Sequence, residues 1–135
     1  MGTALRMDLT FDCVDAERLA RFWKLAVGYE EEPPPAPFAT RAEWVASFGE
    51  PAREGDGGAW LRDPAGVGPR LVFLQVPEPK VAKNRLHIDV RVGARDRIPA
   101  KVEELVAAGG RVLAAFDGHH VVLADPEGNE FCVGT

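Results

Sequence analysis

The chain has 135 residues, 46% of them apolar and 27% charged, with a formal charge of −5. That balance fits one globular domain with a real core and offers no positive field to attract nucleic acid or anionic lipid. No apolar run approaches the ~20 residues of a membrane-spanning helix and the opening residues lack an apolar signal core, so a cytoplasmic protein without membrane or nucleic-acid partners is expected.

Residues 7–14 alternate, with Leu9, Phe11 and Cys13 on one face and Asp8, Thr10 and Asp12 on the other, which predicts a half-buried strand. Asp15 then offers a helix N-cap, Leu19, Phe22, Trp23 and Ala26 recur at helical spacing, and Gly28 supplies a stop. Residues 30–37 run Glu-Glu-Glu-Pro-Pro-Pro-Ala-Pro and read as a semi-rigid loop. Residues 42–48 and 59–62 are expected to be strands, with a turn at 55–58 between them. Residues 71–76 form a stronger one, with Leu71, Phe73 and Gln75 on one face and Val72, Leu74 and Val76 on the other.

In residues 86–92, Ile88, Val90 and Val92 share one face and His87, Asp89 and Arg91 the other. Asp96 can cap a following helix whose first turn tolerates Pro99; Val102, Leu105 and Val106 form its apolar stripe and Gly109-Gly110 ends it. Strands at 111–115, 119–124 and 130–133 complete the chain, with Asp117-Gly118 as a turn signal.

The two cysteines, Cys13 and Cys132, make neither a disulfide framework nor a four-cysteine zinc site. The only serine, Ser47, lacks a Gly-x-Ser-x-Gly elbow, and no glycine-rich phosphate loop occurs. The halves repeat each other: Leu19, Phe22 and Trp23 map onto Val102, Leu105 and Val106 at one constant spacing, and Leu61-Arg-Asp-Pro-Ala-Gly66 echoes Leu123-Ala-Asp-Pro-Glu-Gly128. In each Asp-Pro-x-Gly the Asp bonds its own backbone, Pro presets φ, and Gly takes positive φ. The expected fold is α+β: two tandem β-α-β-β-β modules, about 5–77 and 84–135, in a single domain spanning 1–135. Together they would form one curved, cup-shaped mixed sheet with a helix behind each half.

This pattern resembles the vicinal-oxygen-chelate superfamily of glyoxalase I, bleomycin-resistance proteins and extradiol dioxygenases. Residues 76–90 (Val-Pro-Glu-Pro-Lys-Val-Ala-Lys-Asn-Arg-Leu-His-Ile-Asp-Val) and 127–133 (Glu-Gly-Asn-Glu-Phe-Cys-Val) are similar to small glyoxalase-like domain proteins of actinobacterial type. By position, the resemblance implies a metal set of Asp8, Gln75, His87 and Cys132, with zinc the most compatible ion. Asp8 stands where the family usually has His, and Cys132 where it usually has Glu, so glyoxalase I activity itself is not implied. The resemblance also implies a homodimer.

Strand parity sends Asp8, Thr10, Asp12, Gln75, His87, Asp89, Arg91, Glu130 and Cys132 into the cup, and Trp44, Trp60 and Phe73 can wall it. His87 is the leading metal ligand or acid/base group, or else a pocket histidine bonded to Asp8 or Asp89. Glu130 can serve as a proton-transfer carboxylate. Cys132 is a ligand or a small buried hydrophobe. Asp12 and Asp89 could equally face solvent, with Arg91 pairing either. His119-His120 reads as a loop pair, and Lys80, Lys83 and Arg85 as a solvated connector.

Three functions follow from this pattern. One is binding of a small organic molecule in the bleomycin-resistance manner, with a degraded metal site. Another is a divalent-metal lyase, isomerase or dioxygenase acting on vicinal oxygens. The third is metal-free acid/base chemistry at His87 with Asp89 or Asp8.

Overall fold

Each half folds as a strand, a helix and three further strands, and a computed structural model describes residues 2–49, 57–117 and 119–135. The first half comprises β1 (Asp8–Cys13), α1 (Ala16–Val27), β2 (Glu30–Glu31), α2 (Arg41–Ala46), β3 (Ala59–Arg62) and β4 (Arg70–Gln75). The second comprises β5 (Asp89–Arg91), a 3₁₀ turn at Arg95–Arg97, α3 (Ile98–Ala107), β6 (Arg111–Phe116), β7 (His120–Ala124) and β8 (Glu130–Gly134). The sheets run β1-β4-β3-β2 and β5-β8-β7-β6, with one parallel pair in each, β1 with β4 and β5 with β8.

The expected α+β fold of two tandem modules with a helix behind each is the fold found, its strands hydrogen-bonded as two four-stranded mixed sheets, one per module. The expected strand over 86–92 shortens to the three residues of β5, with 86–88 left outside the ladder. β1 and β5 are therefore the inner edges of the two sheets, and a seam lies between the modules.

α1 forms as expected. The Asp15 carboxylate accepts from Arg18 N–H at 3.1 Å, and Gly28, left-handed at φ 71°, donates to the Lys24 carbonyl at 2.9 Å. α3 departs in its cap: no side chain caps it, and the 3₁₀ turn replaces the expected role of Asp96. A larger departure is α2, where a strand was expected over 42–48. Thr40 Oγ1 accepts from Glu43 N–H at 3.1 Å and Glu43 reaches back to Ala39 N–H, so a Thr-x-x-Glu cap starts a helix there. The first module takes its second strand from Glu30–Glu31, inside the expected loop, where it pairs with β3. Of the turn signals, Gly55, Asp56 and Gly118 lie outside the described residues.

The modules share one core. Phe11 stacks on Phe73 at 5.0 Å, Trp23 lies 5.2 Å from Phe11 and 4.9 Å from Phe131, and Phe22 meets Phe131 edge-on at 5.7 Å. This line of rings passes from the first sheet through α1 to the second. A clasp reinforces it. Buried Asp125 accepts from Trp23 Nε1 at 3.0 Å, while Glu127 accepts from Val14 N–H and Asp15 N–H at 2.7 and 2.9 Å. The Asp-Pro-x-Gly repeat serves the same local purpose twice. Asp63 accepts from Ala65, Val67 and Gly68 N–H, and Asp125 from Glu127 and Asn129 N–H. Gly66 and Gly128 supply the positive φ that each turn requires.

Candidate functional site

The seam between β1 and the β5–β8 edge opens into a cleft of about 300 Å³. Leu9, Thr10, Phe11 and Asp12 line one wall. Because β1 is the edge strand of its sheet, residues of both parities reach the cleft, which a one-faced cup would not allow. Opposite stand Asn84, Arg85, Leu86 and Ile88 from the connector before β5, with Asn129, Glu130 and Phe131 from the start of β8. Trp23 closes the floor from α1. The floor is thus aromatic and aliphatic, and the rim carries a hydroxyl, two carboxylates, two amides and a guanidinium.

Glu130 organises one side of the mouth. It accepts from Asn84 N–H at 3.0 Å and lies 3.5 Å from Lys80 Nζ. The Asn84 amide, and then the nearby lysines, hold its carboxyl below the usual range despite some desolvation. It is a fixed carboxylate that ties down the connector, the opposite of a carboxyl poised to carry a proton near neutral pH. The Asp125 clasp sits behind the floor; burial raises the Asp125 carboxyl, and bonds from Trp23 and Asn129 oppose that rise.

Of the residues expected in the cup, Thr10, Asp12 and Glu130 meet in this cleft. The others lie elsewhere. Asp8 pairs with Arg70 at 3.2 Å, and Arg70 with Glu32 at 2.9 Å, near the rim of the first sheet. Trp60 packs edge-on against Trp44 at 5.8 Å, with the Arg41 guanidinium 4.1 Å over its ring. These two tryptophans dock α2 and do not wall the cleft. Phe73 is fully buried against Phe11, a core residue and not a ligand contact. Asp89, Arg91 and Cys132 line a separate hollow on the second sheet with His119 and His120.

Two placements correct the expected ligand set outright. Gln75 is in register with Cys13, and Phe73 with Phe11, so Gln75 points to the helix side of β4, where its Oε1 accepts from Ala16 N–H at 3.4 Å. His87 lies on the exposed connector before β5, with its Nε2 2.9 Å from Lys83 Nζ and 3.2 Å from the Asn84 carbonyl. Neither Asp8 nor Asp89 is its partner. The remaining donors do not converge either. Burial and then the charge of Asp89 push the Cys132 thiol up, away from the thiolate a metal needs, and Asp8 is already paired. Among the described residues no group of three His, Cys, Asp or Glu side chains is placed to hold a metal ion. The donor set that the resemblance implies does not fit a metal ion.

Parity missed Leu9, Phe11, Trp23 and Phe131, which form the floor. Their apolar character marks them as core, and only the seam gives them a second role. Asn84 and Arg85 lie within the connector that read as merely solvated.

The glyoxalase-like domain family model matches residues 8–134. The chain belongs to the glyoxalase-like domain family. Solved structures of the same fold accompany that match. The fosfomycin resistance protein FosX from Mesorhizobium loti is similar over 100% of this chain and 93% of its own, with a TM-score of 0.69 at 16% identity. A glyoxalase/bleomycin resistance protein/dioxygenase family enzyme from Burkholderia phytofirmans covers 93% of each chain, with a TM-score of 0.63 and 16% identity. FosX from Listeria monocytogenes, solved with Mn(II) and 1S,2S-dihydroxypropylphosphonic acid, has a TM-score of 0.64 at 11% identity, over 99% of this chain and 90% of its own. No curated protein matches the chain. At these identities the likeness concerns the glyoxalase-like fold alone.

Proposed function

We propose that this glyoxalase-like protein binds a small organic molecule in the seam cleft, without a metal and without turnover, in the manner of bleomycin-resistance proteins. The observation that carries this reading is the composition of the cleft. Leu9, Phe11, Ile88 and Phe131 offer an apolar bed built from both modules, and Thr10, Asp12, Asn84 and Arg85 stand around it. A bed with a few polar groups at its rim suits a ligand with an apolar body and a polar or ionised head. Glu130 is a fixed carboxylate and His87 lies exposed beside Lys83, so among the described residues these two expected acid/base groups do not form a proton-transfer pair over that bed. Among the described residues the four donors of the metal-dependent alternative, Asp8, Gln75, His87 and Cys132, lie in different places and do not converge.

The test is ligand-observed NMR with a panel of small aromatic amines and aromatic carboxylates. Binders should compete with one another, bind equally in the presence of EDTA, and be recovered unchanged. Thr10→Trp places a large ring at the mouth from an exposed strand position and should weaken binding by about tenfold or more while leaving the fold intact. Binding unaffected by Thr10→Trp, or conversion of the ligand, would sink the proposal.

A further inference from the structure

The mouth of the seam cleft carries charges that an apolar bed alone does not call for. Three ionised side chains stand there: Asp12 on the β1 wall, and Arg85 and Glu130 on the wall opposite. Glu130 is committed, accepting from Asn84 N–H at 3.0 Å and lying 3.5 Å from Lys80 Nζ. Lys83, from the same connector, sits 2.9 Å from the His87 ring. Asp12 and Arg85 are placed differently. Both are exposed, they belong to opposite walls, and among the described residues neither is in an ion pair, with the other or with any third group. The cleft therefore presents one free negative charge and one free positive charge on either side of its aromatic and aliphatic floor.

We propose that the cleft takes a small zwitterion, an aromatic amino acid, with its ammonium group on Asp12, its carboxylate on Arg85 and its ring on the bed. This rests on the cleft being the binding site. The two charges select that class. A neutral ring would draw both partly out of water and pair neither, which is costly. An aromatic amine satisfies Asp12 but sets its own positive charge near Arg85, and an aromatic carboxylate satisfies Arg85 but is repelled by Asp12. A zwitterion gives each charge its opposite. Size and reach agree with this. A cleft of about 300 Å³ lies at the small end of the range for small-molecule sites and suits one ring system. Arg85 carries forked donors on a long stem, which lets it reach a carboxylate adjacent to an ammonium group seated on Asp12.

Calorimetric titration of the full chain with three matched ligands tests this, with circular dichroism confirming the fold of each variant. Phenylalanine carries both charges, phenethylamine only the ammonium and 3-phenylpropionate only the carboxylate. Phenylalanine should bind the wild type about tenfold or more tighter than either analogue. Asp12→Asn should weaken phenylalanine and phenethylamine by about tenfold and spare 3-phenylpropionate. Arg85→Gln should weaken phenylalanine and 3-phenylpropionate by a similar factor and spare phenethylamine. An analogue that binds as tightly as phenylalanine, no binding of phenylalanine, or an equal effect of either variant on all three ligands would overturn the proposal. Should a variant not fold, the ranking of the three ligands on the wild type decides. Thr10→Trp separates this inference from the reading beneath it. Analogues that equal phenylalanine, yet are blocked by Thr10→Trp, would refute the zwitterion and leave the cleft as the site. Binding of all three ligands indifferent to Thr10→Trp would refute both.

Discussion

Asp125 is the residue whose removal should be felt most. It is 3% exposed, and its two oxygens accept from Trp23 Nε1, Asn129 Nδ2, and the Glu127 and Asn129 amides at 2.9–3.1 Å. Trp23 is itself 1% exposed, so in Asp125→Ala its indole N–H is left buried without a partner. One such orphaned donor costs roughly 1–3 kcal/mol, and loss of the turn's charge-assisted bonds adds about 1–2 kcal/mol more. Relief of the buried charge returns part of this, leaving about 3 kcal/mol. In a domain of this size that is a drop of roughly 10 °C in Tm. Asp125→Asn keeps one acceptor oxygen and should lose about half as much. Urea unfolding followed by tryptophan fluorescence and circular dichroism measures both. In a double-mutant cycle with Trp23→Phe the two changes should couple by about 1–2 kcal/mol, because each alone breaks the same bond. An Asp125→Ala loss under about 1 kcal/mol, or strict additivity in the cycle, would show that the clasp does not hold the modules together.

Glu130 gives a pH signature. Its carboxyl is held below its ordinary value of 4.5, so its tie to the connector is fully present above 4.5 and is lost as pH falls through the lower folded value. Protection of the Asn84 amide against hydrogen exchange should exceed that of Glu130→Gln at pH 7, and the excess should shrink as pH falls below 4.5; an excess that does not change with pH would contradict the assignment. Arg41 secures α2 through the Glu32 and Pro33 carbonyls at 3.0 Å each, the Glu32 carboxylate at 3.5 Å and the face of Trp60. Arg41→Lys loses the forked geometry and the stacking, and exchange within Arg41–Ala46 should accelerate about tenfold with no change at the Asp125 turn. Equal acceleration at both places would mean global destabilisation instead. His87→Ala should leave metal content and ligand binding unchanged, as measured by elemental analysis and NMR, since His87 is exposed and its polar partners among the described residues are Lys83 and the Asn84 carbonyl; loss of either would return it to the site.

The modules were legible because their signals are local and repeated. Asp15 and Gly28 bracket α1, alternation marks β1, and Asp-Pro-x-Gly marks two turns whose chemistry is contained in four residues. α2 was misread as a strand because Trp44, Val45 and Phe48 suit either structure; the Thr40–Glu43 cap is the signal that distinguishes them. The site was harder to read. Gln75 looked like a cup residue because it is polar, yet β4 is a central strand with Leu71, Val72 and Phe73 all buried, so polarity does not reveal its faces. The cleft is a property of the seam between two sheet edges. No pattern within either module states that its inner edge strand, β1 or β5, has no ladder partner on that side among the described strands.

The central claim is that the cleft binds its ligand without a metal. The most direct measurement is isothermal titration of the tightest aromatic binder into untagged protein, with and without EDTA, and into Thr10→Trp, alongside elemental analysis of the same samples. One ligand per chain, the same affinity with and without chelator, no stoichiometric metal, and loss of affinity in Thr10→Trp are the expected results. About one metal ion per chain, with binding abolished by EDTA, would contradict the account and place the chemistry at donors that the present geometry keeps apart.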